Sequence, residues 1–313
     1  MFEHHVEKFD VYEKHILHNP ISGNKIELLP NCGSLLLSAR LNGVEVIDGY
    51  QDPAELEDLK FGKSLVLFPF PNRLDGGKYT FEGKNYKFPI NNVATENAIH
   101  GLDKKTPFYV SSIVCGKNYA EICCRYDYEG LNTSYPFPFQ ISIDFTISDD
   151  HEVEINMTMI NKGLGNLPAG LGWHPYFKIA DHIEEVELSI SDLEMIEINE
   201  RMLPTGNRKK FDEFVASKKV ANTQLDNCFF ILNQAHPFQA ILNSALGTLK
   251  YWQETGNEKF NFIQIFTPAH RKSIALEPMT CNIDAFNNGD GLKILAQDES
   301  LVGKFGFSFK KKY

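Results

Sequence analysis

The sequence predicts an all-β protein built as a large antiparallel β-sandwich. Three observations carry this: period-two alternation of apolar and polar residues dominates the chain, turn dipeptides punctuate it, and helical periodicity is scarce. Strands joined by short turns, with no alternation of strand and helix, pack as sandwiches or barrels rather than as parallel sheets.

In chain order, a first hairpin turns at Asn42-Gly43 between residues 35 and 47. Asn-Gly is the strongest short hairpin signal because both residues accept positive φ. A second turns at Glu82-Gly83 between residues 79 and 88, and a third at 116–118 between residues 109 and 126. Ile141, Ile143, Phe145 and Ile147 share one face, and after Asp149-Asp150 the chain returns with Val153, Ile155, Met157 and Met159. That pattern is a long hairpin, apolar on one side. Further strands are expected at 186–190, 260–266, 273–277 and 305–309, the last completing a sheet with the C-terminal tail. Residues 55–63 and 211–219 predict two short helices. With no repeat, low-complexity run or linker, one domain over residues 1–313 is expected.

At 42% hydrophobic residues, with 24 Phe and 12 Tyr, the chain can build a large core. The formal charge is −10, and the basic residues are dispersed apart from Lys310-Lys311-Lys312. Nucleic acids and anionic membranes are bound through clustered cations, so neither is an expected partner. The N-terminus, with Glu3, His4, His5 and Glu7, lacks the basic-then-apolar run of a signal peptide, and no apolar run reaches the ~18 residues of a bilayer span. The 6 cysteines form no C-x-x-C pair and no disulfide framework, so reduced thiols and a cytoplasmic location are expected. Cys123 and Cys124, neighbours in a strand, should face opposite sides.

Several segments hold residues suited to proton transfer or hydroxyl recognition. Gly172-Trp173-His174-Pro175-Tyr176-Phe177 places a histidine among aromatics, and Ala275-Leu276-Glu277-Pro278 ends an alternating strand on a carboxylate. A histidine that gives a proton and a carboxylate that takes one suffice for metal-free proton shuttling. Each has a plain structural alternative, a core histidine bonded to backbone or a carboxylate capping a turn. Asn72-Arg73 lies in a proline-stiffened loop, where arginine offers a fixed fork of donors or simply a loop ion pair. His100-Gly101 sets a histidine beside a residue that lets a ligand approach the backbone. Asp226 precedes an apolar run, as a turn former or as an acceptor for a sugar diol. Gln264 shares a strand face with Phe262 and Phe266, as a satisfied core amide or a sugar-binding group.

Taken together, Asn72-Arg73, Ile99-His100-Gly101, His174-Pro175-Tyr176-Phe177, Asp226 with Phe229, and Leu276-Glu277-Pro278 resemble the aldose 1-epimerase (galactose mutarotase) family in order and spacing. The resemblance runs from near residue 30 to near residue 300; Leu102 departs from it, where many members have a second glycine. It implies a galactose-mutarotase-type sandwich with the site on a concave sheet face. It implies Glu277 as general base on the anomeric hydroxyl and His174 as general acid on the ring oxygen. Arg73 and His100 would hold the ring oxygen or hydroxyls, Asp226 the distal hydroxyls, and Gln264 and Asn72 would assist binding. Trp173, Tyr176 and Phe177 would stack on the sugar or belong to the core.

The substrate implied is a free hexose such as galactose or glucose. Ring opening moves protons and no net electrons, so no cofactor and no metal are expected. The chain would act as a monomer or homodimer. Two alternatives stand beside this reading. One is a hexose-6-phosphate 1-epimerase, ranked second because Arg73 is the only arginine in the matched motifs and a dianion wants several. The other is a non-catalytic carbohydrate-binding protein of the same fold.

Overall fold

The structure, a computed structural model, describes residues 1–312. The long hairpin foreseen in the sequence is present as Phe139–Ser148 paired with Glu152–Asn161. Its inward row, Ile141, Ile143, Phe145 and Ile147, is fully buried, as is the returning row from Val153 to Met159. This hairpin sits within a nine-stranded sheet. In spatial order the sheet runs Tyr109–Cys115, Tyr119–Tyr128, the hairpin, Ser300–Lys311, Gly247–Gln253, Phe238–Asn243, Glu187–Ile190 and Lys218–Lys219. The C-terminal strand therefore lies in the middle of the sheet, between Glu152–Asn161 and Gly247–Gln253.

A second large sheet runs Pro204–Phe211, Leu193–Ile198, Asp226–Ile231, Phe262–Phe266, Ile274–Met279, Gly172–His174 and Leu65–Leu67, with Tyr176–Phe177 also on Ile274–Met279. Its ladders are antiparallel. Aromatic rings join the two sheets: Trp173 stacks on Phe305 and Phe307 at centroid distances of 5.3 and 6.3 Å, and Phe177 meets Phe307 at 5.2 Å. A five-stranded sheet, from Glu3–Phe9 to Val44–Glu45, carries the Asn42-Gly43 hairpin. The Glu82-Gly83 turn joins Lys78–Phe81 to Lys84–Lys87. Cys124 is buried and Cys123 only half-buried, as strand alternation requires. No helix among the described residues is long and apolar enough to cross a membrane.

Two helix expectations need correction. Residues 55–63 hold an α-helix over Pro53–Glu57, capped by Asp52, whose side chain accepts the Glu55 N–H at 2.9 Å, and then a 3₁₀ turn over Lys60–Gly62. Leu59 and Phe61 take left-handed φ of 46° and 62°, which keeps the two pieces from joining into one helix. Residues 211–219 are not helical. Phe211 closes the strand Pro204–Phe211 and packs on Phe229 at 4.8 Å, so tertiary contact overrides local propensity.

Candidate active site

Within the second sheet, alternation sends one side of each strand to the core and leaves the other for a site. Ile274, Leu276, Ile263, Ile265 and Phe229 belong to the main core. Glu277, Gln264 and Cys228 lie on the opposite face in one row, since Glu277 pairs with Gln264 and Gln264 with Cys228. His174 extends this row. The ladder between its strand and Ile274–Met279 pairs Gly172 with Met279 and, further on, Tyr176 with Ala275. Continued at that register, His174 stands directly opposite Glu277. The ladder is open there because Pro175 and Pro278 have no N–H to give. Pro175 follows His174 where its short strand ends, while Ile274–Met279 runs on through Pro278. His174 Nε2 lies 3.4 Å from Glu277 Oε1.

The remaining candidates converge on this pair. Asn72 takes left-handed φ of 56° and so turns its side chain back. Asn72 Oδ1 accepts the Arg73 N–H at 2.9 Å and Arg73 Nη1 at 3.1 Å, while its Nδ2 donates to Gln264 Oε1 at 3.2 Å. Gln264 Nε2 in turn donates to Asp226 Oδ1 at 2.8 Å. His100 Nδ1 accepts the Asn72 N–H at 3.2 Å, which assigns the ring proton to Nε2 and leaves that nitrogen as a donor. The His100 and His174 rings meet edge to face at 5.5 Å. Asn72, Arg73, His174, Gln264 and Glu277 are buried, His100 is half-buried and Asp226 is exposed. Two buried nitrogens, Arg73 Nε and His174 Nδ1, have no hydrogen-bond partner among the described residues. Such orphans are costly unless a ligand or water satisfies them.

Burial dominates the electrostatics. It pushes Glu277 well above the usual carboxylate range, with Asp226 adding to the rise and Arg73 opposing it. It is also the main cause that brings His174 down to about 3, with a backbone hydrogen bond opposing the fall and the charge of Lys104 adding to it. His100 is likewise held well below the usual histidine value, by burial first and then by His174, Lys104 and Arg73. Burial therefore disfavours the charged form of each member of the pair. Asp226 is raised by partial desolvation, against the pull of Arg73 and the Gln264 hydrogen bond.

Every residue proposed from the sequence is thus drawn into one cluster. The aromatic neighbours divide. Tyr176 stacks on His174 at 5.1 Å, while Trp173 and Phe177 point through the sheet into the core and cannot reach a ligand beside Glu277. The strand Gly172–His174 makes that split unavoidable, because Trp173 and His174 are consecutive. Sequence reasoning missed the segment beside His174. Ser64 N–H donates to the His174 carbonyl at 2.8 Å, and Tyr176 Oη donates to the Phe61 carbonyl at 3.0 Å. Its one sequence signal was Phe61-Gly62, a glycine that breaks the helix expected there.

Residues 22–308 match the family model described as aldose 1-epimerase. YihR of Escherichia coli strain K12 is 27% identical over 256 residues, covering 78% of this chain and 77% of that protein. A galactose mutarotase-like protein from Clostridium acetobutylicum superposes with a TM-score of 0.87 at 20% identity, over 100% of this chain and 99% of that one. Galactose 1-epimerase from Lactobacillus acidophilus NCFM gives 0.85 at 15% identity, over 100% of each chain. At these identities the two solved structures establish a shared fold.

Proposed function

Because the chain belongs to the aldose 1-epimerase family, we propose that it interconverts the α and β anomers of a free hexose such as galactose or glucose. The observation that carries this is the His174–Glu277 pair, 3.4 Å apart at one sheet register, with the hydrogen-bonded side chains of Asn72, Gln264 and Asp226 beside it. In ring opening, Glu277 takes the proton from the anomeric O1. The freed electron pair forms C1=O1 and the C1–O5 bond breaks. The O5 electron pair takes a proton from His174. Rotation about C1–C2 and the reverse transfers yield the other anomer.

The charge change suits a buried site. Opening converts an ionised pair, Glu277 carboxylate and His174 imidazolium, into a neutral one, and burial favours the neutral form. The ionised pair must be supported before reaction. Arg73 draws the Glu277 value down, and hydroxyls bound at His100, Asp226 and Gln264 bring dipoles to a cleft that otherwise holds orphan nitrogens. In this reading Arg73, His100, Asp226, Gln264 and Asn72 bind and orient the sugar.

Polarimetry on freshly dissolved α-D-glucose and α-D-galactose tests the proposal. Rotation should relax faster with protein than without, and an unchanged spontaneous rate with both sugars would sink it. A second reading, a hexose phosphate as substrate, has Lys104 in its favour. Its charge lowers both histidines, and it has no ion-pair partner among the described residues. Running the same assay on glucose 6-phosphate, with a preference for it over glucose, would move the assignment there.

A further inference from the structure

The segment 59–64 beside His174 has no part in the chemistry above, yet its backbone is unusual. Leu59, Phe61, Gly62 and Ser64 take φ of 46°, 62°, 66° and 56°. Left-handed backbone at a bulky residue such as Phe61 is rare and persists only where its surroundings over-determine it. Here they do. The Gly62 N–H donates to the Leu59 carbonyl at 2.8 Å, the Phe61 carbonyl accepts the Tyr176 hydroxyl at 3.0 Å, and Ser64 N–H binds the His174 carbonyl at 2.8 Å. Tyr176 is the ring that stacks on His174. Gly62 stands so near the imidazole that a Cβ there would lie 3.7 Å from His174 Cδ2 and 3.9 Å from Nε2.

This tethered backbone holds the Phe61 ring outward, 43% exposed. The ring meets that of His270 in a T-shaped contact at a centroid distance of 5.0 Å. His270 Nδ1 accepts the Lys272 N–H at 3.0 Å, so the ring proton of the neutral imidazole sits on Nε2. That Nε2 is buried and has no partner among the described residues. His270 lies in the turn between Phe262–Phe266 and Ile274–Met279, the two strands that carry Gln264 and Glu277. An exposed aromatic ring whose backbone is tied to Tyr176 and to the His174 strand matches the apolar C–H face of a pyranose.

We propose that Phe61 and His270 form an aromatic rim subsite that receives the apolar face of the sugar and sets how it lies over His174 and Glu277. Phe61 supplies the stacking surface, and His270, packed against its ring, holds that ring in place. The inference rests on the sugar-binding reading of the cleft, so its test reads binding separately from turnover. In the Glu277→Gln background, Phe61→Trp places a reporter at the rim, and its emission is titrated with D-galactose and D-glucose while calorimetry follows binding. A saturable change in emission tracking the calorimetric isotherm is expected. In the otherwise unaltered protein, Phe61→Ala should raise KM about threefold to tenfold with kcat and the pH profile kept, and Phe61→Tyr should restore it. Flat emission while calorimetry shows saturation, or an unchanged KM in Phe61→Ala, overturns the rim subsite and leaves the cleft reading intact. A responding emission from the Phe61→Trp reporter, in a protein that does not speed mutarotation, supports the subsite and defeats the catalytic reading. No calorimetric binding with either sugar overturns both.

Discussion

Glu277 and His174 are both buried, and burial acts on them in opposite senses. If they are the proton pair, Glu277→Gln keeps shape and removes basicity, and should lower kcat by about 10²–10⁴-fold with sugar binding largely retained. His174→Gln should cost a comparable factor. Both transfers serve one ring opening, so the double variant should lose far less than the product of the single losses. Polarimetric progress curves would show this, and wild-type rates in Glu277→Gln would leave a binding protein as the better account. Asp226→Asn should raise KM more than it lowers kcat, because the amide keeps one acceptor at the exposed end of the cleft; a pure kcat loss would move Asp226 into the reacting group. Stability carries a separate signature. The unfolded chain protonates His174 near 6.5, whereas the fold holds it to about 3. As pH falls through that window the unfolded state binds the extra proton, so this group withdraws stability. Melting temperatures across the window should therefore fall less steeply in His174→Gln than in the unaltered protein, and parallel slopes would contradict the depressed value.

At the scale of elements, the site depends on how three irregular pieces meet one regular sheet. The stretch 97–101 is held against Arg73–Asp75 by its short ladder and against Phe68 by a bridge at Gly101. Gly101 takes φ of 72°, and a Cβ there would fall 1.9 Å from the Phe68 carbonyl oxygen. Only glycine fits, and His100 is its immediate neighbour. Gly101→Ala should push the loop outward, destabilise the protein by about 2 kcal/mol or more, and raise KM through the displaced His100–Asn72 contact. Denaturant titration beside steady-state kinetics checks both; a full-strength enzyme with an unchanged midpoint would show that the loop tolerates the shift. Asp284 ties the Arg73 piece to the Glu277 strand's extension. Its N–H donates to the Arg73 carbonyl at 2.8 Å, and its carboxylate accepts the Asp75 N–H at 2.9 Å.

For the whole molecule, the consequential fact is that one apolar cluster runs from Phe2 to Phe309 and includes residues of both large sheets. The C-terminal strand Ser300–Lys311 supplies Phe305 and Phe307, the rings under Trp173 and Phe177, and so underlies the strand that presents His174. Phe307→Ala should cost about 3–5 kcal/mol, as large aromatic truncations in packed cores do. We expect this loss to appear as a shifted single unfolding transition, because the sheets share their core. Limited proteolysis yielding two independently stable halves would overturn the one-domain expectation.

The sequence by itself determined what is local. Alternation at residues 141–159 and the turn residues at 42–43 and 82–83 specified strands and hairpins, because side-chain periodicity and positive φ are properties of adjacent residues. The site's members were legible as a set through their resemblance to a family, not through any pattern of their own. The strand Ile274–Met279 is buried on both faces, so nothing in its polarity marks Glu277 as facing a cleft. The pairing of His174 with Glu277 at one register and the left-handed run that brings Phe61 and Gly62 beside the imidazole were decided by the tertiary structure. Each depends on ladders and contacts between segments about a hundred residues apart. Register between distant strands is chosen by the packing of whole sheets, and a local sequence reading cannot carry that information.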